Sequence, residues 1–334
     1  MEIRRVQITG GSSYVITLPK NWIKSLNIKK NDSLAIKIQP DGTLLVSPKI
    51  TDEQNIKEKK INSDKITKNS FLLRRLIAAY ISGYNSINVG SNNRISPQIR
   101  TTVRLFSQNA IGQEIVEETD KSIIIKDLLK PAEMPFSSTI KRMHIIVKSM
   151  HDDAMSILTS GDNKIVEEIL LRDNDIDRLH LLVARQHNIL LQNMNLAEKM
   201  NLSTPLTSAY YLISRIIERM GDHVVRIAQN ASKLADIKLR NEILDKIHIA
   251  SKLAFDIFNN SIGSFFRKDI NSSNQNIETV DRLGVICNEI NEMALEEEGA
   301  IAISIGYIVE SIRRIGEYAQ DISETSINYL IEDN

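Results

Sequence analysis

Four acidic residues stand at spacings that bring carboxylates together. Asp173 and Asp177 are four residues apart, as are Glu218 and Asp222, and residues at i and i+4 share one face of a helix. Both pairs lie in stretches whose apolar residues recur every three or four positions, which predicts helices. Asp177 lies 19 residues before Leu196, where the first stretch is expected to end, and Asp222 lies 19 residues after Ser203, where the second is expected to begin. Equal distances from one loop stand at equal height in an antiparallel pair, so the four acids are expected to converge. Close carboxylates repel unless something cancels their charge. A cation is the usual remedy, and an all-oxygen set suits Mg²⁺, Mn²⁺, Ca²⁺ or iron, with Zn²⁺ kept as a further candidate. The competing reading pairs each acid with Arg178, Arg219 or water on an exposed face.

The helices that must carry these acids follow from periodicity. From Pro135 onward strand signals vanish and six helical stretches follow one another, at about 137–159, 162–195, 204–235, 238–267, 272–297 and 300–331. Long helices with short loops pack as antiparallel bundles. The six divide into two sets of three. Asp177-Arg178-Leu179 has a counterpart in Asp281-Arg282-Leu283, and Glu218-Arg219-Met220-Gly221-Asp222 one in Arg313-Arg314-Ile315-Gly316-Glu317, at offsets of 104 and 95 residues. An internal duplication explains both. The second copy puts Arg313 at the place of Glu218 and Ile277 at the place of Asp173. It is a degenerate second site, with Asp281 and Glu317 as its remaining acids, and Arg313 is expected to neutralise one of them directly. One functional metal site is therefore expected, not two.

A second group of candidates lies near the start of the chain. Residues 1–70 hold 13 Lys/Arg and 7 Asp/Glu, a net +6, so the remainder carries −6 within a chain of zero net charge. A basic head on an acidic body suits a nucleic-acid contact at one end. Arg4, Arg5, Lys20, Lys24, Lys29 and Lys30 are the candidate DNA-binding residues; a solvated charged face is the alternative. Gly10-Gly11-Ser12-Ser13 lacks the Gly-Lys-Ser/Thr of a phosphate loop and reads as a turn. Trp22 is expected to pack the short helix over 19–26 into a core. Catalysis has little support: there is no nucleophile elbow, no His-Glu-x-x-His and no Cys/His arrangement. The single cysteine, Cys287, excludes an internal disulfide and reads as a buried core residue in a reduced, cytoplasmic setting. No apolar run reaches the roughly 20 residues of a membrane span.

The chain is thus expected to be multidomain. Residues 1–50 alternate short strands and turns, including a turn at Pro40-Asp41-Gly42. Residues 51–69 are polar and aperiodic, the signature of a linker. Residues 70–134 read as a small α/β subdomain of helix, strand, helix and hairpin. Residues 135–334 form the helical body, with repeats at about 135–236 and 237–334.

The segment IIERMGDHVVRIAQNAS, with Glu218 and Asp222, resembles the signature helix of the PhoU family, regulators of phosphate uptake. RDNDIDRLHLLVARQ, with Asp173 and Asp177, matches its paired helix, and ESIRRIGEYAQDISE is a weaker copy of the signature. Separately, RRVQITGGSSYVITLPKNWIKSLNIKKNDSLAIKIQPDGTLLVSP resembles the AbrB/MazE/SpoVT swapped-hairpin DNA-binding domain, in which two chains intertwine. The combination resembles archaeal phosphate-uptake regulators. The resemblance implies an all-β swapped-hairpin head, an all-α body of two three-helix bundles, a homodimer, DNA as partner, and metal held by the acidic motifs. It also implies contact with a phosphate ABC transporter or its ATPase, and no enzyme activity. The alternative is an adaptor that does not bind DNA and regulates that transporter by protein contacts.

Overall fold

The computed structural model describes residues 2–38, 42–48, 57–129 and 133–333. It divides into two compact units, Met1–Asn55 and Ile56–Asn334.

In the first unit, β1 (Gln7–Thr9) pairs antiparallel with β2 (Ser13–Val15), Gln7 opposite Val15. Gly10 and Gly11 turn the chain at φ of 63° and 82°, values a side chain strains to reach. Helix α1 (Lys20–Ser25) starts behind Pro19, whose missing N–H costs nothing there. β3 (Ala35–Ile38) pairs antiparallel with β4 (Leu44–Ser47). Of the expected turn between them, Pro40 and Asp41 lie outside the described residues. No described residue of this unit is buried, and Trp22 is only half-buried. Two separate two-stranded ribbons enclose no core in one chain, so Trp22 has none to join within it.

The second unit begins with a four-stranded sheet of order β5-β6-β8-β7. β5 (Glu58–Asn62) runs parallel to β6 (Ser86–Gly90), and β7 (Gln113–Glu118) and β8 (Ser122–Asp127) complete it antiparallel. β5 and the 3-10 turn Ser63–Lys65 that follows it correct the expected linker over 51–69, of which 51–56 lie outside the described residues. The strand is legible only in Ile61, its one buried apolar residue; an edge strand tolerates the charged remainder. Helices α2 (Asn69–Ile81) and α3 (Pro97–Asn109) cover one face of the sheet. Ser96 caps α3 by accepting from the Ile99 N–H. Leu76, Tyr80, Val103 and Phe106 pack there with Ile87, Val89, Ile123 and Ile125.

The helical body follows: α4 (Phe136–Ser160), α5 (Ile165–Gln192), the short α6 (Met194–Lys199), α7 (Thr204–Leu234), α8 (Asn241–Arg267), α9 (Ile270–Ala294) and α10 (Gly299–Asp333). The six long helices match the periodicity; α6, one turn and a half, lies in the expected break. α4, α5 and α7 form one three-helix set and α8, α9 and α10 the other, and α7 packs along α10 to join them. Each buries one stripe, as Ile213, Ile217, Met220, Val224 and Ile227 do on α7. Cys287 lies in this core, and burial pushes its thiol up to about 12. Among the described residues no helix is long and apolar enough to cross a membrane.

The sheet layer is locked onto α5. The buried Arg185 guanidinium donates to Asp127 Oδ2 and to the Tyr80 carbonyl, both at 2.5 Å, and lies 4.9 Å over the Tyr80 ring. Losing either partner of this buried pair would leave an uncompensated charge.

Candidate functional site

The acids of α5 and α7 meet at a glycine. A Cβ on Gly221 would stand 2.8 Å from Asp173 Oδ1 and 3.1 Å from Ile176 Cδ1, so the absence of a side chain lets α5 lay its carboxylate against the α7 backbone. Gly221 lies between Glu218 and Asp222, and this contact brings Asp173 to the segment carrying both. Asp173 and Glu218 are half-buried; Asp177 and Asp222 reach solvent.

Burial raises all four carboxyls, and neighbouring acids raise three of them further. Burial, then Asp177, Asp222 and Glu218, push the Asp173 carboxyl up to about 7. Burial and Asp222 push Asp177 to about 6. Burial first raises Glu218 as well, followed by Asp222 and Asp177. Asp222 is raised by burial, against the pull of Arg226 and Arg219. Among the described residues no ion pair or hydrogen bond satisfies any of the four side chains. Arg178 is engaged instead by Asp175 at 3.2 Å. Neither Arg178 nor Arg219 forms an ion pair with these acids among the described residues, and the exposed Asp177 and Asp222 meet water, as the competing reading has it.

The donor set fits a hard cation: four unpartnered carboxylates, each raised above its ordinary range. The geometry is nevertheless open. Among the described residues no three His, Cys, Asp or Glu are gathered tightly enough to hold an ion. The acids line a face and do not close a cage, so an ion would draw the side chains inward or bind through water. His223, beside Asp222, is half-buried against the Tyr318 ring at 5.6 Å, and burial with Arg226 and Arg314 lowers it to about 4. It is a neutral neighbour of the face. The sequence flagged the acids; Gly221, which admits Asp173, carries no acidic or basic signal of its own.

The second repeat is arranged differently. Arg313 donates to Glu317 and to Glu310, each at 2.5 Å, and Arg314 reaches Glu310 and Glu317 at 3.0 and 2.8 Å. Glu317 is thus held by two arginines, while Asp281 is exposed on α9 without an ion pair among the described residues. Against Gly316 stands Leu283, its Cδ2 2.2 Å from where a Cβ would be. The duplication aligns Ile277 with Asp173, so the helix pair meets its glycine further along α9 than that alignment implies.

The six basic candidates of the first unit, Arg4, Arg5, Lys20, Lys24, Lys29 and Lys30, are all exposed. Arg4 is engaged within its own chain, by the Glu2 carboxylate and the Thr17 hydroxyl.

Comparison with known proteins bears on both parts. Residues 140–231 match the PhoU domain model, which spans the first repeat, and residues 7–54 match that of the antidote-toxin recognition MazE, bacterial antitoxin. No curated protein sequence matches the chain. The phosphate transport system regulatory protein PhoU from Streptococcus pneumoniae is similar in structure at a TM-score of 0.50 and 19% identity, covering 60% of this chain and 94% of that one. PhoU from Pseudomonas aeruginosa is similar at 0.51 and 20% identity, covering 60% and 96%. The helical body of this chain therefore has the PhoU fold, preceded by a small β unit that matches a MazE-like domain.

Proposed function

We propose that the chain is a dimeric, DNA-binding regulator of phosphate uptake whose PhoU-like body binds a divalent metal or iron and acts as a sensor or docking domain. The observation that carries the dimer is the bare first unit. Tyr14 is 75% and Ile38 74% exposed, and no described residue there is buried. Two hairpins without a core are marginal alone. A second copy supplies the missing apolar partner, and the MazE-like match supports such pairing. Pairing doubles the six exposed basic residues, whose contacts to phosphates give salt-dependent affinity; Arg5 is free to read base edges. The PhoU fold, and the description of one similar structure as a phosphate transport system regulator, support the link to phosphate uptake.

One observation favours the second reading, an adaptor that regulates a phosphate ABC transporter by protein contacts: Arg4 is already engaged by Glu2 and Thr17. DNA binding across a salt series separates the two. The first reading expects tight binding to particular promoter fragments, steeply weakened by salt and by Arg4→Ala/Arg5→Ala together. Binding no better than nonspecific background overturns it and leaves the first unit as a dimerisation device.

A further inference from the structure

We propose that the open face of the α/β sheet binds a phosphoryl group, through Lys60 and Lys121. The helices α2 and α3 cover only one side of the sheet. On the other, the residues that alternate with the buried Ile61, Ile87, Val89 and Ile123 line a groove of about 370 Å³. Its floor is set by register: Lys60 lies opposite Asn88, Asn62 opposite Gly90, and Gly90 opposite Ser122. This is the end at which the parallel strands β5 and β6 both run out, the position where open α/β sheets bind ligands.

The chemistry is one-sided. Two lysines, three asparagines and two serines are among the lining residues and no acidic residue is; the Ser91 hydroxyl already donates to Asp64 and the Ser122 hydroxyl is paired with that of Thr119. Lys60 and Lys121 make no ion pair among the described residues, and the half-buried Asn88 side chain has no hydrogen-bond partner there. The carboxylate behind the groove, Asp64, is occupied by the Ser91 hydroxyl at 2.5 Å and the Asn92 N–H at 2.9 Å. Glu58 and Glu114 stand at the far end of the same face, with Lys126 opposite Glu114. Two lysines on a groove otherwise lined by neutral residues suit a phosphate oxyanion. The volume exceeds what bare phosphate fills, so the groove also admits a small phosphoester whose hydroxyls the amides would read.

Gly90 supplies a test that leaves the charge alone. A Cβ there would meet nothing nearer than Asn88 Oδ1 and the Lys121 carbonyl, both at 4.0 Å. The Cβ of Gly90→Val would therefore enter the groove in ordinary contact with its walls, and valine favours a strand. Calorimetric titration of the full chain with inorganic phosphate and with ribose 5-phosphate, in EDTA to silence any metal-borne anion site, measures the binding. We expect saturable binding of at least one, weakened tenfold or more by Lys60→Gln/Lys121→Gln and by Gly90→Val, with unchanged circular dichroism. Binding of both probes assigns the site to the phosphoryl group alone; binding of the ester only adds recognition of its hydroxyls. No saturable binding, or equal binding by the wild type and both variants, overturns the proposal. The result is independent of whether the first unit binds DNA.

Discussion

The two repeats of the helical body hold a glycine at matching places and set opposite chemistry against it. On α5–α7 the neighbour of Gly221 is a carboxylate, Asp173, raised to about 7 among three other acids. On α9–α10 the neighbour of Gly316 is the buried Leu283, and Glu310 and Glu317 of α10 are met by Arg313 and Arg314. In the second repeat Glu310 and Glu317 are neutralised by arginines of their own helix. The first leaves four carboxylates without an ion pair among the described residues, with Arg219 and Arg226 acting on Asp222 only from a distance. Two three-helix sets of the same build thus present different chemistry at corresponding glycines.

The glycines give the largest contrast. Gly316→Ala drives a methyl group into Leu283, which has no exposed surface to move into; we expect a loss of about 2 kcal/mol in denaturant unfolding. Gly221→Ala meets the free end of a half-exposed carboxylate and the tip of Ile176 at 3.1 Å, a far milder approach than Leu283 makes at 2.2 Å, and the helix preference of alanine offsets part of the strain, so its loss should stay below about 1 kcal/mol. It should nonetheless displace Asp173 and blunt any response to metal. Equal losses at both glycines would break the comparison.

A comparable effect is expected from Mn²⁺. An ion that binds only the folded chain stabilises it by about 2.7 kcal/mol at a hundred times its Kd. Thermal unfolding with and without Mn²⁺ should show a rise in Tm for the wild type, lost in Asp173→Asn/Asp177→Asn and kept in Glu310→Gln/Glu317→Gln.

Arg313→Ala should have a smaller effect. It strips Glu310 and Glu317 of one partner while Arg314 remains, and partly exposed pairs contribute little, so about 1 kcal/mol or less is expected in chemical denaturation.

The pH dependence is of similar size. Asp173 titrates near 7 when folded, against an ordinary 3.8. Between those values the folded chain keeps a proton that the unfolded chain has released, so stability falls as pH rises from about 4 to 7 and the loss is complete above 7. Solvent at the face screens the effect to about 1 kcal/mol. Asp173→Asn should flatten the decline in denaturation midpoint between pH 5 and 8; an unchanged slope would place the charge repulsion elsewhere.

Much of this architecture was legible in the sequence because its signals are periodic. The six long helices follow from apolar spacing, and Ser96-Pro97 marks the start of α3. The acids announced themselves by i,i+4 spacing and equal distance from a loop. Other features leave no such trace. β5 is one buried Ile61 among charges, readable only once β6 is beside it. The role of Gly221 appears only when α5 lies against it. The register that sets Leu283 on Gly316 is a property of packing between helices, which alignment of the repeats does not fix. Trp22 is only half-buried in the single chain, where two separate ribbons form no core for it to join.

The central contrast is most directly tested by calorimetric titration with Mn²⁺, counting sites per chain. The account predicts one site, abolished by Asp173→Asn/Asp177→Asn and unaffected by Glu310→Gln/Glu317→Gln. Two equivalent sites, or one that survives the aspartate changes, would contradict it.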